Sequence, residues 1–141
     1  MRYTLLILSS LLLMSCTTTK GELSGKSFYH VYLRYTARNE FGKGGGNQQL
    51  LLSFGDNSVT LYNVREDTAA TENGGHKTSR DSTKMYTAPY HISSGIVIID
   101  SPVIPEARIE GDSLIVSGIN ITIDGKDLSE LFNNALFKAK S

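Results

Sequence analysis

Residues 50–64 read LLLSFGDNSVTLYNV, two runs rich in leucine, valine and aromatics on either side of Gly55-Asp56-Asn57. Turn residues between two such runs predict a β-hairpin, because Gly, Asp and Asn tolerate the backbone angles of a tight reversal and the flanking side chains suit a pleated, half-buried surface. The same grammar recurs along the chain. SFYHVYLRYTA (27–37) predicts a long first strand, MYTAPYHI (85–92) turns at Ser93-Ser94-Gly95 into IVIID, and SLIVSGINITI follows a turn at Gly111-Asp112. In VIPEARIE (103–110), Val103, Ala107 and Ile109 alternate with Glu106, Arg108 and Glu110. Pro105 cannot donate to a ladder and belongs near a strand end or sheet edge. The last segment predicts a short helical turn at Leu128–Asn133, with Asp127 as cap and Glu130 in capping-box spacing, and then a closing strand, Ala135–Lys140. About eight strands with short turns argue for an all-β fold, a single antiparallel eight-stranded barrel, with a β-sandwich as the alternative.

Two stretches interrupt this pattern. GKGGGNQQ (42–49) is expected to be a loop because of its glycines. Residues 65–84 are polar throughout except for Ala69 and Ala70, and are expected to form a long loop that either is solvated or carries function, with room for a short polar hairpin around Asn73-Gly74-Gly75. On the first strand, Tyr29, Val31, Leu33 and Tyr35 form the cleaner apolar face. The other face carries Phe28, His30, Tyr32 and Arg34.

Fourteen basic and fourteen acidic residues balance, and loss of Arg2 with a cleaved leader would leave a net charge of −1. With no basic stripe, nothing favours nucleic acid. The only cysteine is Cys16, so no disulfide can staple the fold and stability must come from a core. About 126 residues beyond the leader suffice for one domain of that kind.

Cys16 ends an apolar run of about ten residues that follows Arg2, too short for the roughly 20 a spanning helix needs and of the length of a secretory h-region. Leu13-Met14-Ser15-Cys16 resembles the lipobox of bacterial lipoproteins. The resemblance implies cleavage after residue 15, acyl chains on Cys16 as the membrane partner, and a place in the bacterial envelope. Thr17, in place of an aspartate, favours the outer over the inner membrane. On this reading residues 1–15 are a signal peptide, 16–24 a lipidated cysteine and flexible tether, and 25–140 the barrel domain.

LSGKSFY near the start, LLLSFGDNSVTLY, and ARIEGDSLIVSG with ALFKAK at the close resemble the opening, second hairpin and last strands of lipocalin-like (calycin-type) barrels. Ser27 stands where that family carries a tryptophan at the barrel base, which leaves Phe28 or Tyr29 as the plug. The resemblance implies a barrel that binds a small apolar ligand and needs no cofactor.

The residues give little support to catalysis. There is no Gly-x-Ser-x-Gly elbow, and His30, His76 and His91 lack a motif context for a triad. Three scattered histidines do not make a zinc signature, leaving a pairing of His30 with His91 across neighbouring strands as the one metal reading. NITIDGKDLSEL has Leu131 where a calcium loop needs its bidentate glutamate. Lys43 has neither the spacing nor the helix of a phosphate loop. The protein is therefore expected to bind rather than catalyse. Tyr32, Tyr35, Tyr62, Tyr86 and Tyr90 are either core filling or pocket lining. The ligand-contacting candidates are Tyr32, Arg34, Tyr62, Tyr90 and His91, in a mostly apolar pocket at a barrel mouth. The second expectation is a protein-interaction module (structural, inhibitory or immunity factor) working through residues 65–84 and the barrel rim.

Overall fold

The computed structural model describes residues 22–141; the leader, lipobox and Cys16 lie outside the described residues. Its strands are β1 (Ser27–Asn39), β2 (Gly42–Phe54), β3 (Ser58–Ala70), β4 (His76–Ser93), β5 (Ile96–Ile99), β6 (Glu106–Glu110), β7 (Ser113–Val116), β8 (Thr122–Ile123), β9 (Lys126–Asp127) and β10 (Ala135–Ala139), with a single 3₁₀ turn at Ser129–Phe132. Eight of them close in the order β1-β10-β7-β6-β5-β4-β3-β2, all antiparallel, and β8 and β9 pair separately as a small hairpin. The chain thus meanders up and down, compatible with a lipocalin-like fold, and only the β7–β10 connection makes an excursion.

Turn chemistry accounts for the tight reversals. Ser94 and Gly95 both have positive φ, 52° and 76°, which is the type I′ geometry that matches strand twist, and Asp124-Gly125 repeats it at 52° and 77°. The Gly55-Asp56-Asn57 turn forms where expected but without positive φ; Gly55 N–H donates to Ser58 O at 2.8 Å.

Inward-facing residues fill the barrel. Leu50, Leu52, Val59, Leu61, Val97, Leu114, Val116, Phe132 and Phe137 are fully buried. The base is plugged by Phe28, which meets Phe54 edge-on at a centroid distance of 5.8 Å; Phe54 meets Tyr90 in the same way at 5.0 Å. Leu23, counted from sequence in the tether, is 3% exposed and belongs to this core. The opposite end is closed by two connections that bond to one another: Asn120 N–H donates to Val103 O at 2.8 Å, and Ile104, Ile119, Ile121 and Phe132 are buried beneath them.

Two expectations about the first half of the chain need correcting. Residues 65–84 are not a loop. They are the paired ends of β3 and β4, in register from Arg65 opposite Asp81 to Ala70 opposite His76, with the reversal confined to Thr71–Gly75, so the polar hairpin around Asn73-Gly74-Gly75 is present and longer than expected. Nor is the glycine run a loop: Gly44, Gly45 and Gly46 pair with Ala37, Thr36 and Tyr35. Backbone pairing supplies what composition does not, because a sheet solvated on both faces has no need of apolar alternation. On β1 the strict alternation of faces breaks at one residue. Phe28 faces the core with His30 and Tyr32, while Tyr29 and Val31 face out. A bulge at Tyr32 then resets the register, so that Leu33 and Tyr35 share a face with Gln48 and Gly46.

Strand lengths differ sharply. At 3.3 Å per residue β1–β3 extend about 43 Å each, against about 15 Å for β5–β7 and β10. The first four strands therefore run on past the capped end of the barrel as a four-stranded blade.

Candidate functional site

The blade and the cap enclose a cleft of about 460 Å³, lined by Tyr32, Leu33 and Gln48 on one side and by Ile123, Asp124, Lys126, Leu128 and Leu131 on the other. Its position follows from the elements already described. The bulge turns Tyr32 under the cap, where its ring lies edge-on to Phe132 at 5.6 Å, and the β8–β9 turn brings Asp124 over the same rim. Leu33 and Leu131 are 47% and 55% exposed, so the cleft is apolar and open to solvent.

The Tyr32 hydroxyl lies 2.8 Å from both Gln48 Oε1 and Asn63 Oδ1. Burial raises its pKa above 10.0; the bond to Asn63 opposes that and the nearby Asp124 carboxylate adds to it. Tyr32→Phe removes the hydroxyl and leaves two amides to find water at the cleft, an expected loss of about 1 kcal/mol in urea denaturation, since a typical net hydrogen bond is worth that much. Tyr86 and Tyr90 are also raised, mainly by burial. For a neutral acid held protonated by burial, the unfolded chain loses its proton first. Stability is therefore constant below about pH 10 and falls as pH rises beyond it. Denaturation midpoints across pH 8–11, read beside tyrosinate absorbance, check this.

The five ligand candidates are not brought together. Tyr32 alone lines the cleft. Tyr90 lies toward the barrel base, where its hydroxyl donates to Gly55 O at 2.7 Å. Arg34 and Tyr62 face out from β1 and β3. Arg34 lines a separate shallow depression with Gln49, Glu66 and the C-terminal residues, and Tyr62 sits opposite Leu51 in an outer apolar patch with Tyr29 and Val31. His91 is exposed on β4, opposite Ile98. His30 does not meet it. The His30 ring stacks on Phe137 at 5.4 Å and its Nδ1 lies 2.9 Å from Leu136 O, the environment of a packed aromatic. No cluster of three or more His, Cys, Asp or Glu that could hold a metal occurs among the described residues.

Sequence reasoning missed the cap side of the cleft, Ile123 to Leu131, because it comes from an excursion placed there only by barrel closure. The Asp124-Gly125 pair between Ile123 and Lys126 was a readable hairpin signal. Asp127, read as a helix cap, accepts from the Ser129 hydroxyl and from the Ser129 N–H at 2.9 Å at the start of the 3₁₀ turn, which together lower its pKa below the usual carboxylate value.

No protein-family model, curated protein or solved structure matches this chain.

Proposed function

We propose that this is a lipid-anchored protein of the bacterial envelope, held on the outer membrane through Cys16, that acts as a non-catalytic protein-interaction module. Its working surface is the blade and the adjoining rim cleft. The observation that carries this reading is the contrast between the two ends of the inner sheet. Inside the barrel, the inward positions are occupied by large side chains at or near zero exposure, from Leu50 and Leu61 to Phe132 and Phe137. Past the cap, the same strands continue for about half their length, with Leu33 half exposed over the cleft and His76–Met85 of β4 exposed throughout. Ligand-carrying barrels keep their concave space within the wall, whereas here the open apolar space lies outside it.

Native mass spectrometry of the full-length protein, purified in mild detergent, tests the reading. The expected result is the mass of the acylated chain alone. A reproducible extra small-molecule mass that is lost on denaturation would overturn it in favour of the ligand carrier that the sequence resemblance implies. The anchor is tested separately: Cys16→Ala is expected to leave the membrane fraction or to keep its leader, because a single unacylated chain end has no second membrane signal. Normal membrane retention with a normal mature mass would remove the lipoprotein part of the proposal.

A further inference from the structure

The closed barrel has no free edge, but the blade has two. On the side away from β2, β1 is bonded to β10 only at Phe28 and Tyr29, and on the side away from β3, β4 is bonded to β5 only from Tyr90 to Ser93. Among the described residues, Leu33–Asn39 and His76–Lys84 therefore each present alternate backbone N–H and C=O groups without a ladder partner.

The two edges differ in chemistry. On the β4 edge both faces are polar: Lys77, Ser79, Asp81 and Thr83 on one, Thr78, Arg80, Ser82 and Lys84 on the other. Charges of both signs close to the backbone, with a bulge at Met85 between the register pairs of Leu61 and Tyr62, are the usual protection against added strands. The β1 edge is amphipathic instead. The cross-strand register puts Leu33, Tyr35 and Ala37 on the face that continues into the cleft, and Arg34, Thr36 and Arg38 on the other. No acidic residue occurs between Ser27 and Asn39, and neither arginine makes a salt bridge among the described residues.

We infer that the Leu33–Asn39 edge of β1 is a strand-addition site for an extended segment of a partner protein, one in which apolar and acidic residues alternate. This rests on the interaction-module reading and gives it a partner chemistry. Main-chain hydrogen bonds to the free edge would supply affinity. Alternate side chains would supply selection: apolar ones on the Leu33 face, running toward the cleft beside Leu131, and carboxylates on the face that carries Arg34 and Arg38. A second copy of β1 is a poor occupant, since antiparallel self-pairing sets an arginine-bearing, acid-free strand against itself.

The test uses the full-length protein in mild detergent and a fluorescein-labelled decapeptide of alternating valine and glutamate. Its controls are the same composition in two blocks and an alternating valine–lysine peptide. The expected result is binding at least tenfold tighter than either control, weakened by salt, with new amide-exchange protection confined to Leu33–Asn39 and its β2 partners. Arg34→Glu combined with Arg38→Glu, two exposed positions, is expected to lower that affinity at least tenfold while leaving the denaturation midpoint in place. Equal binding of the lysine peptide, protection on the β4 edge or outer apolar patch, or no binding would overturn the inference. So would concentration-dependent protection of Leu33–Asn39 in the protein alone, which would give the edge to a second copy. The native mass of the same preparation separates the two levels: a bare mass without peptide protection removes only strand addition, whereas a retained small molecule removes the interaction reading beneath it.

Discussion

Phe132→Ala is expected to lower the stability of the protein by about 3–5 kcal/mol, the cost of truncating a buried phenylalanine when its surroundings cannot collapse. Phe132 is fully buried although it belongs to the 3₁₀ turn of the cap rather than to a barrel strand. Its ring meets Tyr32 at 5.6 Å and His30 at 5.8 Å, so it ties the cap to the wall at the start of the blade. The loss should appear as a lower urea midpoint with faster amide exchange across residues 119–134, because Phe132 is the largest of the buried side chains that hold that excursion, beside Ile119 and Ile121. A cost below about 1 kcal/mol, or exchange unchanged in the cap, would mean that Ile119 and Ile121 anchor it unaided. Since the cap forms one side of the cleft, the same variant should weaken any binding there even in the folded fraction.

Gly46→Val acts at the other wall. A Cβ at position 46 would fall inside van der Waals contact of the Glu66 carbonyl oxygen and lie 2.6 Å from the Tyr35 hydroxyl and 2.7 Å from Asp67 Oδ1. The first of these is backbone of the neighbouring strand and cannot swing aside. The Tyr35 hydroxyl is already buried without a hydrogen-bond partner, and its ring lies 5.7 Å below the Arg65 guanidinium. Accommodation requires β2 and β3 to separate, an overpacking cost of about 1–3 kcal/mol. Gly44 and Gly45 stand equally close to the carbonyls of Thr68 and Tyr35. The glycine run is thus what lets three strands of the blade approach one another. Hydrogen exchange should show the damage at Tyr35–Ala37 and Glu66–Thr68 and spare the barrel base. A uniform loss of protection would make blade and barrel one cooperative unit.

How much of this was legible beforehand depended on which forces were local. Turn pairs such as Ser94-Gly95 and Gly111-Asp112, and the apolar β-branched runs between them, follow from backbone sterics and from the demand that one strand face be dry. They predicted strands, antiparallel order and an eight-stranded barrel. The inward place of Ala107 and the closing strand from Ala135 were read in the same way. Phe28 was one of two named plugs, and the choice between it and Tyr29 needed the packing against Phe54.

The sequence by itself determined that this chain builds an antiparallel, disulfide-free β-structure, because propensity, alternation and turn chemistry act over a few residues. The tertiary structure alone decided the rest. It made strands of 42–49 and 65–84, which composition presents as loops, because a hydrogen-bonded ladder is held by its neighbours' backbone and shows no apolar period where both faces meet water. It also broke the alternation of β1, since the bulge at Tyr32 puts Leu33 and Tyr35 on the face that Phe28 and His30 occupy. And it separated Tyr32, Arg34, Tyr62, Tyr90 and His91, which share strands of one sheet but alternate between its two faces and lie at different heights along a wall more than 20 Å long by the rise per residue.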